Sequence, residues 1–340
     1  MPQPAPSSPP AILLNARNSV ILHQSLYAVA RLGVPDCLAD DSRSAAELAR
    51  RLNVNEDALY RILRLLASQG IFEEESSRSF RNTEVSNALR SDVPNSLRAL
   101  FIFWGSDYSY ASLGQMLRTV ETGKPAPILL SGNDSFEALR RDPEQARIFD
   151  DAMTTMSRFV APAVAAAFDF SAFQSLMDVG GGNGFLLAEI LRAHPSIRGV
   201  LADQQHVLDR ARERRFLAGD LESRASMQPC NFFEHVPSGC RAYIMKSIIH
   251  DWDDEQSRII LAHCRKAIPA DGVLLLVETS LGEANVPTFG KFLDIAMLSL
   301  TGGRERTEAE YSTLLASAGF RLNRVIPLNP QFCMVEAFPA

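Results

Sequence analysis

The chain has 340 residues, 46% apolar and 22% charged, with a formal net charge of −6 and a pI near 5.6. That length allows one large or two medium domains with a real core, and the acidic balance argues against a dedicated nucleic-acid or anionic-membrane surface. Five scattered cysteines with no CxxC pair argue against a disulfide frame or zinc site and fit reduced thiols in a cytoplasmic protein, and no apolar run is long enough to span a membrane.

Residues 1–10 are rich in proline and serine without a basic run, which predicts a disordered tail rather than a signal peptide. Residues 11–100 read as mostly helical. Ile21, Leu22, Leu26 and Val29 space one helix that stops at Gly33 and Pro35. Ser44–Leu52 and Asn55–Gly70 then give two helices across a short turn, and 71–73 with 79–83 suggest a small hairpin. This is a winged helix-turn-helix pattern, which either binds DNA or serves as a packing and dimerisation module. From Ala45 to Arg81 six arginines face six acids, and Glu73, Glu74 and Glu75 sit where a wing would meet phosphate. Phosphate neutralisation dominates DNA affinity, so the pattern favours dimerisation. The same apolar helix face, which a small module cannot easily bury alone, predicts a homodimer.

Residues 101–172 form a second helical stretch, rich in aromatics and methionine. Phe149, Met153 and Met156 fall on one helical face at i, i+4 and i+7. They suit either plain core or a wall against a flat aromatic substrate.

From 173 to 340 strands and helices alternate, with strands expected near 175–179, 198–202, 225–230, 241–246, 272–278, 320–327 and 332–338. The first strand runs into Asp178-Val179-Gly180-Gly181-Gly182-Asn183-Gly184 and then a helix, the opening unit of a doubly wound nucleotide fold. Asp203 ends the next strand 21 residues after Gly182, where a carboxylate can hold a ribose diol. The dinucleotide fingerprint fails at its third glycine, where Phe185 stands, and Asp178 is acidic where a phosphate would sit. A cationic adenosine ligand without phosphate, such as S-adenosylmethionine, suits the site better than NAD. A glycine turn with no ligand is the plainer alternative.

Arg241–Trp252 reads as a strand running into a polar end, and in an open α/β sheet ligands gather at the carboxyl ends of strands. Lys246 and His250 lie there. His250 is the candidate base, with Glu278 and Glu305 as carboxylates able to fix its tautomer and stabilise its cation. No metal cluster is evident, so none is expected.

The glycine run, His250-Asp251-Trp252 and Gly302-Gly303-Arg304-Glu305-Arg306-Thr307 together resemble the S-adenosylmethionine-dependent O-methyltransferases of the caffeic acid and bacterial natural-product-tailoring type, over nearly the whole chain. The resemblance implies a helical winged-helix-like dimerisation domain ahead of a Rossmann-like α/β catalytic domain, and a small hydroxyl-bearing substrate. It places Gly180 and Gly182 against the methionine part of the cofactor, Asp203 on the ribose and Lys246 along the cleft. It makes His250 the general base flanked by Glu278 and Glu305, and puts Asp251, Trp252 and Met297 with the 149–156 helix at the substrate. One departure stands out. The family commonly has Gly-Asp-Phe-Phe after the third strand, its Asp meeting adenine, where this chain has Cys230-Asn231-Phe232-Phe233. Asn231 keeps a donor and an acceptor but supplies no charge. Two other readings remain open, N-methylation on the same fold and a cofactor-sensing regulator.

Overall fold

The computed structural model describes residues 9–340, the side chain of Ser77 excepted. The expected tail lies outside the described residues but for Pro9 and Pro10, which are not tail. They open the first helix, Pro9–Leu32, where a missing N–H and a fixed φ cost nothing. The chain forms two compact bodies, one of residues up to Tyr110 with Asp151–Thr155, the other of Ala111–Asp150 with Met156–Ala340. The aromatic-rich stretch 101–172 therefore contributes to both.

In the first body, β1 (Arg43–Ser44), β2 (Phe72–Glu74) and β3 (Ser79–Asn82) form an antiparallel sheet in the order β1-β3-β2. The hairpin was expected; the two-residue β1 was too short to show in the sequence. Ser44 and Glu47 close a capping box on the helix Ala45–Leu52, and Asn55 caps Glu56–Ser68. Their apolar faces meet in a core of Leu48, Leu63, Leu66, Phe72 and Phe80. Here the expectation for the first helix needs correcting. Val29 is fully buried in this core, with Leu22 and Leu26 packed on it, so those residues are not waiting for a partner. The exposed apolar residues of that helix are Ile12, Leu13, Leu14, Val20 and Ile21.

The second body is a seven-stranded sheet of β4 (Ser175–Val179), β5 (Arg198–Asp203), β6 (Ala225–Pro229), β7 (Ala242–Lys246), β8 (Val273–Thr279), β9 (Phe320–Pro327) and β10 (Phe332–Pro339). The order is β6-β5-β4-β7-β8-β10-β9. The first five strands are parallel and β10 pairs antiparallel with both β8 and β9. All seven expected strands are present. Leu274-Leu275-Leu276-Val277 is a continuous apolar run because β8 is covered on both faces. Leu275 and Val277 join one core cluster with Leu186, Leu187 and Leu201, while Leu274 and Leu276 join another with Tyr243, Ile260 and Leu261. The winding reverses at β4, which has β5 on one side and β7 on the other. A crevice therefore opens at the carboxyl ends of these strands, at the point where such folds bind ligands.

Candidate active site

The glycine run turns tightly at the end of β4. Gly180, Gly182 and Gly184 have φ of 70°, 58° and 80°. A Cβ on Gly180 would lie 2.6 Å from Ile248 Cδ1, while one on Gly182 would meet nothing within 4 Å. The first glycine is thus required by the fold. The second keeps a side chain out of free space in the crevice. Asp203 closes this loop: its Oδ2 accepts from the Gly182 amide at 2.9 Å and its Oδ1 from the Gln204 amide at 2.7 Å. Burial pushes Asp203 up to about 6, against the pull of those two amides.

Asp178, 1% exposed, makes no close hydrogen bond through either carboxylate oxygen among the described residues, with only a weak pull from the Leu187 amide. Burial pushes it up to about 7, with the Lys246 ammonium pulling the other way. Lys246 is held below its ordinary value by burial, opposed by Asp178, Glu278 and Asp251. A buried carboxylate so weakly partnered is costly, and a cation supplied from the crevice would offset that cost.

The second cluster comes from three elements. After β7 the chain swings through Ser247, a non-glycine residue at φ 55°, into a short 3₁₀ turn, Ile249–Asp251. Glu278 stands near the end of β8, and Glu305 comes from the loop before the helix Glu308–Ser317. His250, 7% exposed, places Nδ1 2.6 Å from Glu305 Oε1 and 3.8 Å from Glu278 Oε2. Its Nε2 lies 3.8 Å from Asp251 Oδ1, beyond hydrogen-bond reach. An Nδ1–H donating to Glu305 leaves Nε2 as the available base position. Burial alone would lower the imidazole pKa. Glu278, Glu305 and Asp251 outweigh it and raise it to about 10. Glu278 is itself pushed up to about 7 by burial, although His250 opposes this and its Oε1 accepts from the Ile248 and Ile249 amides at 3.3 and 3.0 Å. Asp251 is likewise raised by burial, to about 6.

Two residues that hold this cluster stand in the Gly302–Thr307 motif but were given no role of their own from the sequence. A Cβ on Gly303 would lie 2.0 Å from the His250 carbonyl oxygen, so only glycine lets the two backbones meet. Arg306, 1% exposed, donates to the Ile249 and Trp252 carbonyls at 3.0 and 2.9 Å and to Asp254 Oδ1 at 2.8 Å, tying down the turn that carries His250. The Gly302-Gly303 doublet was the one available signal. The sequence also gave no metal cluster, whereas the fold brings ligand atoms of His250, Glu278 and Glu305 within 4.8 Å of one another.

Asn231 and Phe232 follow β6, at the same edge as Asp203, whose carbonyl accepts from the Cys230 amide at 2.8 Å. The segment Ala218-Gly219-Asp220, which is like the family's Gly-Asp pair in sequence, runs into a 3₁₀ turn before β6 and is not at this edge. Trp252 stands edge-on to Phe233 at 4.7 Å and Phe232 at 6.2 Å and stacks on Phe136 at 5.3 Å. It therefore groups with the segment expected at adenine. Phe149, Met153 and Met156 share one long helix, Pro143–Ala167, and all are half-buried. Met156 packs on the catalytic core, and Met153 lies in the stretch that belongs to the first body. Met297, 8% exposed, sits on the helix Phe289–Leu300, one turn beyond Asp294, whose Oδ1 accepts from the Glu305 amide at 2.9 Å.

Residues 117–321 match the family model of the O-methyltransferase domain, and residues 14–92 match that of the O-methyltransferase dimerisation domain. The chain belongs to the O-methyltransferase family. It is 40% identical to the phenazine O-methyltransferase PhzM of Lysobacter antibioticus, covering 97% of this chain and 96% of that one. It is 34% identical to the 8-amino-8-demethylriboflavin N,N-dimethyltransferase of Streptomyces davaonensis, covering 92% and 90%. The solved structure of LaPhzM superposes with a TM-score of 0.94 at 40% identity, covering 98% of this chain and all of that one. The O-methyltransferase NcsB1, solved with S-adenosylmethionine and 2-hydroxy-5-methyl naphthoic acid, superposes with a TM-score of 0.82 at 31% identity, covering 94% and 96%. This chain is therefore an S-adenosylmethionine-dependent methyltransferase with a dimerisation domain and a Rossmann-like catalytic domain. The crevice fits that cofactor: the weakly partnered Asp178 carboxyl can offset a cation's charge, and Asp203 offers lone pairs at the expected ribose position.

Proposed function

We propose that this methyltransferase acts on a hydroxyl oxygen of a small planar acceptor, works as a cytoplasmic homodimer, and uses His250 Nε2 to take the acceptor's proton. One observation carries the reading: Glu305 binds Nδ1 at 2.6 Å, which turns Nε2 into the free base position of a buried imidazole. When bound, the cofactor supplies an electrophilic methyl group on a cationic sulfur. Glu305 fixes the tautomer, Glu278 is anchored on two backbone amides, and both carboxylates stabilise the imidazolium once Nε2 is protonated. Asp178, Gly180, Gly182, Asp203, Asn231, Phe232 and Lys246 hold the cofactor in line, so positioning carries much of the rate. Asp251, Met297, Phe149 and Met156 would line the acceptor side. The named acceptors of the relatives, a phenazine and a naphthoate, are flat ring systems of the kind such a wall suits.

The setting is consistent with this reading. All five cysteines are free, and among the described residues no helix is long and apolar enough to cross a membrane. On the wing, Arg81 is engaged by Glu73 at 2.7 Å and Glu75 at 3.4 Å, which leaves little cation there for a phosphate.

Relatives that methylate nitrogen favour a second reading. A neutral amine attacks through its lone pair and needs no prior proton removal, so a dedicated base points to oxygen. Transfer of labelled methyl to matched phenols and anilines tests this. Phenols are expected to be labelled at least tenfold faster, and labelling confined to the anilines would overturn the proposal.

A further inference from the structure

Asn231 stands where the family commonly places an Asp, and its side chain is held on two sides. Its Oδ1 accepts from the Phe233 amide at 3.2 Å, and its Nδ2 donates to Glu234 Oε1 at 2.8 Å. A free Asn amide has two orientations of nearly equal cost, since its oxygen and nitrogen exchange places on a flip. Here a flip would set Nδ2 against the Phe233 N–H and Oδ1 against the Glu234 carboxylate. One donor would face a donor and one acceptor would face an acceptor, so both hydrogen bonds would be lost.

We propose that Glu234 is a positioning residue for base recognition, locking the Asn231 amide in the orientation that reads adenine. This rests on the reading that places Asn231 at the adenine edge. In the locked orientation Asn231 keeps one lone pair on Oδ1 and one N–H on Nδ2. Those two groups complement adenine, which offers an amine hydrogen beside a ring-nitrogen acceptor. Hypoxanthine reverses both groups, with an oxygen acceptor beside a ring N–H. An unlocked Asn could turn over and accept hypoxanthine as readily, whereas a locked one cannot. Glu234 thus gives a neutral side chain the base selectivity that an acceptor-only carboxylate has by nature. Phe233 supplies the other half of the lock through its backbone, which no side-chain replacement removes.

The test is calorimetric titration of S-adenosylhomocysteine and its hypoxanthine counterpart, S-inosylhomocysteine, against the full-length protein and the variants Glu234→Ala and Asn231→Ala. The unmodified protein should prefer the adenine compound by about 5- to 150-fold, the range of a good two-point contact. Asn231→Ala should erase the preference. Glu234→Ala should narrow it at least threefold, because hypoxanthine loses less affinity than adenine does. A purely structural role for Glu234 would weaken both ligands alike and leave their ratio fixed. An unchanged ratio in Glu234→Ala, with the preference erased in Asn231→Ala, overturns the positioning role alone. An unchanged ratio in Asn231→Ala removes Asn231 from the adenine edge and overturns the proposal together with the reading beneath it.

Discussion

A histidine ringed by three carboxylates is poised as an acid until its charge balance changes. Burial disfavours the His250 cation, but Glu278, Glu305 and Asp251 overcome this and raise its pKa to about 10. In the ligand-free protein Nε2 therefore carries a proton at neutral pH, and a cation entering the crevice lowers the pKa toward the working range. The base form exists only above the pKa, so kcat/KM for the acceptor should rise with pH. Glu278→Gln removes one of the carboxylates that raise the pKa. Its ascending limb should move to lower pH by about 1–3 pH units, with a smaller loss of turnover than in His250→Ala. A limb that stays in place would show that Glu278 does not set the charge of His250. His250 and Glu278 were legible in the sequence because they fall at or just beyond the carboxyl end of a strand, where a parallel sheet gathers its chemistry, whereas Glu305, on a loop between two helices, was legible only through the Gly302–Thr307 motif. The tautomer was not, because it depends on whether Glu278 or Glu305 reaches Nδ1, and that is decided by placement across three elements, 2.6 Å against 3.8 Å.

At the scale of elements, the site depends on a loop that crosses under its base. Gly303 lets that loop touch the His250 carbonyl, Arg304 donates its amide to the same oxygen at 2.8 Å, and Arg306 ties down the carbonyls on either side. Gly303→Ala forces a Cβ into space already filled, an overpacking error that costs about 1–3 kcal/mol. Turnover should fall at least tenfold while the Kd for S-adenosylhomocysteine stays within about twofold, because the glycine run and Asp203 are on other strands. A large loss of cofactor affinity would mean that the loop supports the whole crevice. The central strands β4, β7 and β8 were readable because burial on both faces makes them largely apolar runs, and Ser44 and Asn55 stood at the starts of the two helices they cap. The loop carried no comparable signal: it has no periodicity, and its work is done by backbone contacts that composition does not record.

At the scale of the whole molecule, the dimerisation-domain match and the apolar residues Ile12, Leu13, Leu14, Val20 and Ile21 left in water by the first helix point to a second copy of the chain. Sedimentation of the full chain should give a dimer, and a chain lacking residues 1–95 should lose activity; a fully active truncated monomer would contradict that. Of the four residues the sequence pointed to on this helix, only Ile21 is exposed. Leu22, Leu26 and Val29 share the helical spacing, yet their own domain buries or packs them, and periodicity alone cannot tell an inner from an outer apolar stripe. The proposed function is a division of labour, in which one set of residues holds the cofactor and His250 acts only on the acceptor's proton. Single-turnover methylation by His250→Ala, across phenols of graded pKa with the cofactor saturating, tests that division most directly. The rate should fall by about 10²–10⁴-fold for the least acidic phenol and progressively less for phenols already ionised, with cofactor affinity nearly unchanged. A variant that matches the unmodified enzyme on the least acidic phenol would show that His250 is not the base.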